Sequence, residues 1–270
     1  MLTVGVLLLF LGTVIATFPR ECTTPEALRT YTCCPLLDGS PCGYNSGRGI
    51  CQIIPQSRAK GNNPLSYDDR YSWPLYYFNR TCRCFGNYGQ YNCGYCKSGW
   101  WGSDCSKRIE LVRRELREYS LVERKTFFAY LHYCKTKISK EYVILTTGDR
   151  FYKDTFQFKN ASYYDIAAFL HYYAIKPAIN NSQVVGGLNY AHASSGFLTW
   201  HRLYILFFEH LMRICTGVET FTCPYNDWQD DSGCALCTND FIGDSNEQGK
   251  LSEFSIFSRW KVSYDFFIKF

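Results

Sequence analysis

Five histidines occur in the chain: His132, His171, His192, His201 and His210. The pattern around His171 predicts a position in the middle of a helix, on the face of Ala167 and Ile175. We expect His201 in the first turns of the next helix, and His192 in the Gly- and Ser-containing loop before that helix. Two facing helices and a loop can aim three imidazoles at one point. Neutral imidazole nitrogens suit both oxidation states of copper, so three converging imidazoles could form a copper site.

The residues around these histidines make the interpretation more specific. His192 is followed, after four residues, by Phe197-Leu198-Thr199-Trp200-His201-Arg202, with Glu209 further along. This run matches the first copper-site signature of tyrosinases at each of its fixed positions. The run from Tyr164-Asp165 to His171-Tyr172-Tyr173 is similar to the first-ligand helix of that family. The resemblance to this type-3 copper family implies that His171, His192 and His201 are the ligands of the first copper.

Segments upstream of the histidines resemble the vertebrate-type tyrosinase and tyrosinase-related group, and the resemblance runs from about Phe18 to Trp260. The segments are Phe18-Pro19-Arg20, Cys33-Cys34-Pro35, Ser46-Gly47-Arg48-Gly49, Asp68-Asp69-Arg70 and Phe78-Asn79-Arg80-Thr81-Cys82. Two positions differ from the family pattern, and two further features disagree about which member the sequence resembles. Ala193 stands where relatives usually carry an acidic residue, and Asn226 replaces a Trp. Asp227-Trp228 favours tyrosinase proper, whereas Thr199 favours the tyrosinase-related proteins.

The other two histidines, Glu209 and the nearby aromatic residues are expected to have structural roles. A lone histidine on an apolar helix face is usually a satisfied core residue, and this is the expectation for His132 and His210. We expect Glu209 to be an orienting or structural carboxylate rather than a catalytic base. Trp200 and Phe197 are expected to pack around the site and tune the metal. No catalytic residue beyond the three ligands is predicted.

The number of histidines limits what the chain can do alone. In the family that the sequence resembles, dioxygen binds between two copper ions, each held by three histidines. Six are therefore needed, and the chain has five. The sequence is expected to be an N-terminal part that lacks the second copper site and is inactive by itself. The last segment that resembles the family is Phe257-Ser258-Arg259-Trp260. The next residues, Lys261-Val262-Ser263, are what a translated splice-donor sequence yields. Residues 262–270 could therefore be read-through intron or ordinary divergence.

Three functions remain open at this point. The first is a tyrosinase-like oxidase that, when complete, hydroxylates monophenols and oxidises catechols to quinones with O2 in melanin synthesis. The second is a tyrosinase-related protein, a group that includes a zinc-dependent dopachrome tautomerase. The third is a non-catalytic, secreted, Cys-rich binding product. Nucleic-acid binding is excluded as a class, because 29 basic and 24 acidic residues give a net charge of only +5 without a basic block.

The first residues predict entry into the secretory pathway. Leu2 to Thr13 is apolar, and Val14-Ile15-Ala16 supplies small residues before a cleavage site, so residues 1–16 are predicted as a signal peptide rather than a membrane anchor. Sequons at Asn79, Asn160 and Asn180 and fifteen cysteines agree with an oxidising lumen. The expected location is the lumen or the exterior, or the melanosome if a full-length form follows the family. No membrane anchor is expected in this chain.

Ten cysteines precede residue 106, in a stretch rich in Gly, Asn, Pro and Ser. We interpret residues 17–108 as a disulfide-stabilised domain whose second half has EGF-like spacing. Cys93-x-x-Cys96 could suit zinc, but disulfides are favoured in a secreted chain. The family resemblance implies the pairs Cys22–Cys33, Cys34–Cys51, Cys42–Cys82, Cys84–Cys93, Cys96–Cys105 and Cys234–Cys237. Cys134, Cys215 and Cys223 then have no assigned partner.

Residues 109–261 are predicted to be the N-terminal half of a type-3 dicopper helical bundle. Ser120 and Glu123 form a capping box at the start of a first helix. A second helix begins near Ser162 and is stopped by Pro177, and a third runs from about Phe197 to Cys215 with Gly217 beyond it. Strand signals are few. The predicted fold class is therefore mainly α, preceded by the disulfide-rich EGF-like domain.

Overall fold

The computed structural model describes residues 17–55, 74–75, 77–147, 153–175, 179–180, 183–184, 189, 191–192, 195–230 and 233–261. The predicted signal peptide and the tail at 262–270 lie outside these residues. The α-helices are α1 (Pro25–Arg29), α2 (Leu121–Thr136), α3 (Tyr163–Ile175) and α4 (Phe197–Thr216). The strands are β1 (Thr17–Pro19), β2 (Thr32–Cys33), β3 (Leu36–Leu37), β4 (Ser40–Pro41), β5 (Gly49–Ile53), β6 (Arg80–Cys84), β7 (Tyr88–Gly89), β8 (Tyr95–Cys96), β9 (Trp100–Trp101), β10 (Lys107–Arg108), β11 (Ile138–Thr147), β12 (Gln157–Ser162), β13 (Ile179–Asn180) and β14 (Gln183–Val184).

The prediction of a mainly α-helical fold is wrong. Within the described part of the chain, four α-helices accompany fourteen strands in six small sheets. One sheet has the order β1-β11-β12 and is antiparallel throughout. A second has the order β2-β6-β5, with β2 parallel to β6, and the remaining strands form two-stranded ribbons.

The longest strand, β11, explains why the sequence pattern failed. Its residues Tyr142, Val143 and Ile144 are all buried, so the strand lacks the alternation of apolar and polar residues that marks a half-exposed strand. Tyr142 and Ile144 pack into the core shared by the three long helices, whereas Val143 packs on the opposite face with Phe18. A strand buried on both faces resembles a stretch of buried helix by periodicity alone.

Two hydrophobic cores lie on the two sides of this sheet. The larger contains buried residues of α2, α3 and α4, such as Leu131, Ile166 and Leu211. The smaller joins Val143 to the first part of the chain through Phe18, Leu28, Tyr77 and Phe78. Because Phe18 lies in β1 and pairs with Val143 of β11, the two sequence regions share a sheet. The domain boundaries at residues 108 and 261 remain predictions.

The three predicted helices are present, and their ends follow local chemistry. Ser120 Oγ accepts a hydrogen bond from Glu123 N, and Glu123 Oε2 accepts one from Ser120 N, which completes the capping box of α2. Ser162 Oγ accepts from Asp165 N at the start of α3. Gly217 ends α4 in the left-handed region, with φ of 75°.

Candidate metal centre

The structure brings His171, His192 and His201 together. One ring nitrogen from each histidine lies within 4.8 Å of the other two. The ring centroids are separated by 5.0 Å between His171 and His192, 5.6 Å between His171 and His201, and 5.1 Å between His192 and His201. All three rings are half-buried. Three nitrogen donors at this separation can bind one ion at about 2 Å each and leave a coordination position open.

Each histidine reaches this point from a different element. His171 projects from the third turn of α3, and His201 from the first turns of α4. These two helices pack against each other, which brings the two imidazoles to 5.6 Å with an angle of 62° between the ring planes. His192 lies in the segment before α4, next to the fully buried Ala191. The scaffold is therefore two packed helices and one anchored loop.

A backbone contact sets the orientation of His201. Its Nδ1 lies 2.8 Å from the carbonyl oxygen of Phe197, one helical turn earlier. A carbonyl oxygen can only accept, so Nδ1 carries the proton and donates it. The other nitrogen, Nε2, is then unprotonated in the neutral ring and has a lone pair for a metal.

A second backbone contact fixes the loop. The main-chain N–H of His192 donates to Asn189 Oδ1 at 2.6 Å. His192 lies outside the helices, so this hydrogen bond and the buried Ala191 contribute to the placement of its main chain.

Aromatic rings surround the triad. Trp200 and Tyr204 stack with 5.3 Å between centroids, and His171 meets both rings nearly edge-on at 5.7 and 5.4 Å. Phe197 lies 4.4 Å from the ring of His201 and is 45% exposed. These rings restrict the rotamers of the histidines and limit the access of water on the protein side.

Burial and repulsion favour the neutral form of His171. Desolvation is the larger effect and lowers the pKa of His171, and the neighbouring His192 and His201 lower it further. A neutral imidazole is the form that binds a metal, so the environment of His171 favours the ligand state.

The carboxylate of Glu209 is buried in an ion-pair network. Its side chain is buried and pairs with Arg113 Nε at 2.7 Å and with Arg213 Nη2 at 3.3 Å. The main-chain N–H of Cys223 donates to the same carboxylate at 2.9 Å. Glu209 thus joins α4 to the segments before α2 and after α4, as a structural carboxylate.

The other two histidines do not join the triad. His132 Nδ1 accepts a hydrogen bond from Trp260 Nε1 at 3.0 Å. His210 is buried against the edge of the Tyr95 ring, and its Nε2 has no hydrogen-bond partner among the described residues. Burial, with a smaller contribution from Arg213, lowers the pKa of His210 to about 3. Within the described residues, no second group of histidines could hold a metal.

The cysteines form seven disulfides among the described residues. Six are Cys22–Cys33, Cys34–Cys51, Cys42–Cys82, Cys84–Cys93, Cys96–Cys105 and Cys234–Cys237. The seventh, Cys134–Cys215, joins α2 to α4 and was not predicted, although both residues fall on the apolar faces of their helices. Cys223 is free. Cys34, Cys42 and Cys82 lie within metal-binding distance of one another, but all three are disulfide-bonded and offer no thiolate.

The remaining predicted features differ in what the structure shows. Asn79 and Asn160 are exposed, and Asn160 Oδ1 accepts from Arg20 Nη1 at 2.8 Å. Asn180 lies in β13, and its sequon continues outside the described residues. Ala193 also lies outside them, and Asn226 is exposed.

In the part of the chain that the structure describes, each helix is too short or too polar to cross a bilayer.

Comparison with known proteins assigns the family. A family model described as the common central domain of tyrosinase matches residues 160–266, a range that contains all three histidines. A tyrosinase from Pelodiscus sinensis is 40% identical over 271 residues, which cover 97% of this chain and 99% of that relative. The chain belongs to the tyrosinase family.

Two other members of the tyrosinase family are longer than this chain. A tyrosinase from Oryzias latipes is 42% identical over 272 residues, which cover 96% of this chain and 50% of that relative. A tyrosinase from Felis catus is 40% identical over 255 residues, which cover 91% of this chain and 48% of that relative. The chain thus spans about half the length of these two tyrosinases. Membership of the family and the many disulfides fit a protein of the secretory pathway.

Proposed function

We propose that His171, His192 and His201 bind one copper ion and that the chain is part of a tyrosinase-type oxidase. The observation that carries this proposal is the convergence of three imidazole nitrogens within 4.8 Å, inside the segment that matches the tyrosinase central domain. The donor set fits the metal, because imidazole nitrogen is a good ligand for copper. The contact of His201 Nδ1 with the carbonyl oxygen of Phe197, which leaves Nε2 available for a metal, is a second point of fit.

The residues of this chain would bind, orient and shield the ion. His171 and His201 provide ligands on a rigid pair of helices, and His192 completes the set from the loop. Trp200, Tyr204 and Phe197 exclude water from the protein side and hold the imidazole rings. A bound copper ion supplies redox chemistry toward dioxygen and phenols, and the protein supplies the geometry.

The substrates follow from the family. The complete enzyme would hydroxylate monophenols and oxidise catechols to quinones, with O2 as the oxidant, as a step in melanin synthesis. It would act in the lumen of the secretory pathway, and in a melanosome where a full-length form is directed there. The proposed function involves no nucleic-acid partner and does not rely on a membrane anchor within these residues.

The 270-residue polypeptide alone would hold at most one copper and would not oxidise catechols. An enzyme of this type needs two ions and six histidines, and this polypeptide has five, of which His132 and His210 lie in other surroundings. Expression in a secretory host, copper loading and a DOPA oxidation assay test this proposal. We expect one bound ion and no turnover. Two ions per chain, or turnover that His201→Ala abolishes, would contradict it.

Zinc is the second candidate metal. Three imidazoles with one open position are also a ligand set of catalytic zinc sites, so the geometry of the triad admits a tyrosinase-related, tautomerase-like activity. Competition between equal concentrations of copper and zinc, followed by metal analysis, decides between the two. We expect copper, since it binds a given nitrogen site more tightly than zinc does. Retention of zinc in the presence of reduced and oxidised copper would favour the tyrosinase-related alternative.

A further inference from the structure

The three histidines differ in how their backbones are held. His171 and His201 belong to α3 and α4, where the helical hydrogen bonds fix the main chain. His192 lies outside any helix or strand. Its ring nevertheless has to reach within about 2 Å of an ion that the other two histidines share. The position of His192 therefore depends on contacts made by individual side chains.

Asn189 makes such a contact. Its Oδ1 accepts the main-chain N–H of His192 at 2.6 Å, across three residues of sequence. An Asn side chain in this arrangement replaces a backbone acceptor and closes a turn, as Asx side chains commonly do. Ala191, which directly precedes His192, is completely buried, so the main chain before His192 is anchored from the side of the core as well.

The distances around His192 show what the turn achieves. The ring of His192 lies nearly parallel to that of His201, at 12° and 5.1 Å, and 5.0 Å from that of His171. A turn that opened would move the His192 ring away from both neighbours. A displacement of a site residue by about 1 Å is enough to impair a preorganised site.

We propose that Asn189 is a positioning residue for the metal centre: its side-chain oxygen holds the main chain of His192 so that the imidazole completes the triad. This inference rests on the proposed metal site. It adds a residue outside the ligand set on which the affinity and geometry of that site depend. The group that matters is the Oδ1 acceptor, so the proposal predicts which substitutions the position tolerates.

The test compares two substitutions at Asn189. Asn189→Ala removes the acceptor, whereas Asn189→Asp keeps an oxygen at the same place. Asn246→Ala is the matched control, because Asn246 Oδ1 accepts from Gln248 N at 3.0 Å and Lys250 N at 2.9 Å in an exposed loop that is not part of the triad. Cobalt(II) is the probe, since its visible absorption reports both affinity and coordination geometry. Deuterium exchange of a peptide containing His192, measured without metal, gives an independent readout.

We expect Asn189→Ala to weaken Co(II) binding about 10- to 100-fold, the range for removal of a group that orients a ligand. Its Co(II) spectrum should change, and the His192 peptide should exchange faster. Asn189→Asp and Asn246→Ala should bind and absorb as the parent protein does. Parent-like affinity and spectrum in Asn189→Ala would overturn the positioning role, as would equal damage in Asn189→Asp. Failure of the parent protein itself to bind Co(II) would instead overturn the metal site and this role together.

Discussion

Cys134 of α2 and Cys215 of α4 are bonded to each other across 81 residues of sequence, and both are buried. The bond crosses the core between the helix that precedes the sheet and the helix that carries His201. A crosslink that closes a long loop removes many conformations from the unfolded chain. This disulfide therefore ties the element carrying a candidate ligand to the rest of the helical core.

Removal of this disulfide should be costly. We expect the double variant Cys134→Ala/Cys215→Ala to lose about 2–5 kcal/mol of unfolding free energy, because the loop is long and both sites are buried. Chemical denaturation of the metal-free protein measures this loss. Cys234→Ala/Cys237→Ala is the control, since its loop spans a sequence separation of 3 and its cysteines are exposed. A loss no larger than that of the control would contradict a structural role for Cys134–Cys215.

The buried carboxylate of Glu209 should be essential for stability. Glu209→Gln removes the negative charge that pairs with Arg113 and Arg213 while it keeps the shape of the side chain. We expect a loss of about 3–5 kcal/mol, the range for breaking a buried ion pair by removal of one partner. Asp38→Asn is the matched control, because Asp38 pairs with Arg48 at the surface, at 3.5 Å, where the loss should be about 1 kcal/mol or less. Equal losses in the two variants would show that burial of Glu209 adds nothing.

His210 should make the protein sensitive to acid. Burial lowers the pKa of His210 to about 3 in the folded state, whereas the unfolded value is about 6.5. Between these values the unfolded chain binds a proton that the folded protein does not bind. As the pH decreases below about 6.5, the unfolding free energy should therefore decrease, by up to about 1.4 kcal/mol per pH unit from this group. Above the unfolded pKa the effect is absent.

The variant His210→Phe isolates this contribution. It keeps a ring against Tyr95 and removes the titrating group, so its stability should decline less than that of the parent protein between about pH 6.5 and about pH 4.5. Urea denaturation of metal-free protein at several pH values gives the two slopes. His132→Phe serves as the control, since His132 is exposed and contacts Trp260 instead. Identical slopes in the parent and His210→Phe would mean that His210 is not held neutral by burial.

The sequence allowed the triad to be predicted but left part of the fold unpredicted. His171, His192 and His201 could be selected because the signature fixes residues on both sides of two of them, and the structure brings these three together. The starts of α2 and α3 were visible because Ser120 and Ser162 are local caps whose partners lie three residues away. Local chemistry of this kind can be deduced from sequence because both partners are close in the chain.

The features that were missed depend on distant partners. The strand β11 has core on both faces, so its apolar run did not show the alternation expected of a strand. The pairing of Cys134 with Cys215 depends on the packing of α2 against α4, which spacing does not define. The role of Asn189 depends on the path of an irregular loop. In each case the deciding contact is a tertiary one, which the residues nearby in sequence do not encode.

The most direct test of the central claim is the metal content of single-histidine variants. His171→Ala, His192→Ala, His201→Ala and His132→Ala would each be produced from a secretory host, loaded with copper, freed of excess metal and measured for bound ions per chain. We expect one copper in the parent protein and in His132→Ala, and a loss of nearly all copper in the other three variants, with the disulfides intact by non-reducing mass analysis. Copper that survives each of the three ligand substitutions, or that is lost in His132→Ala, would contradict it.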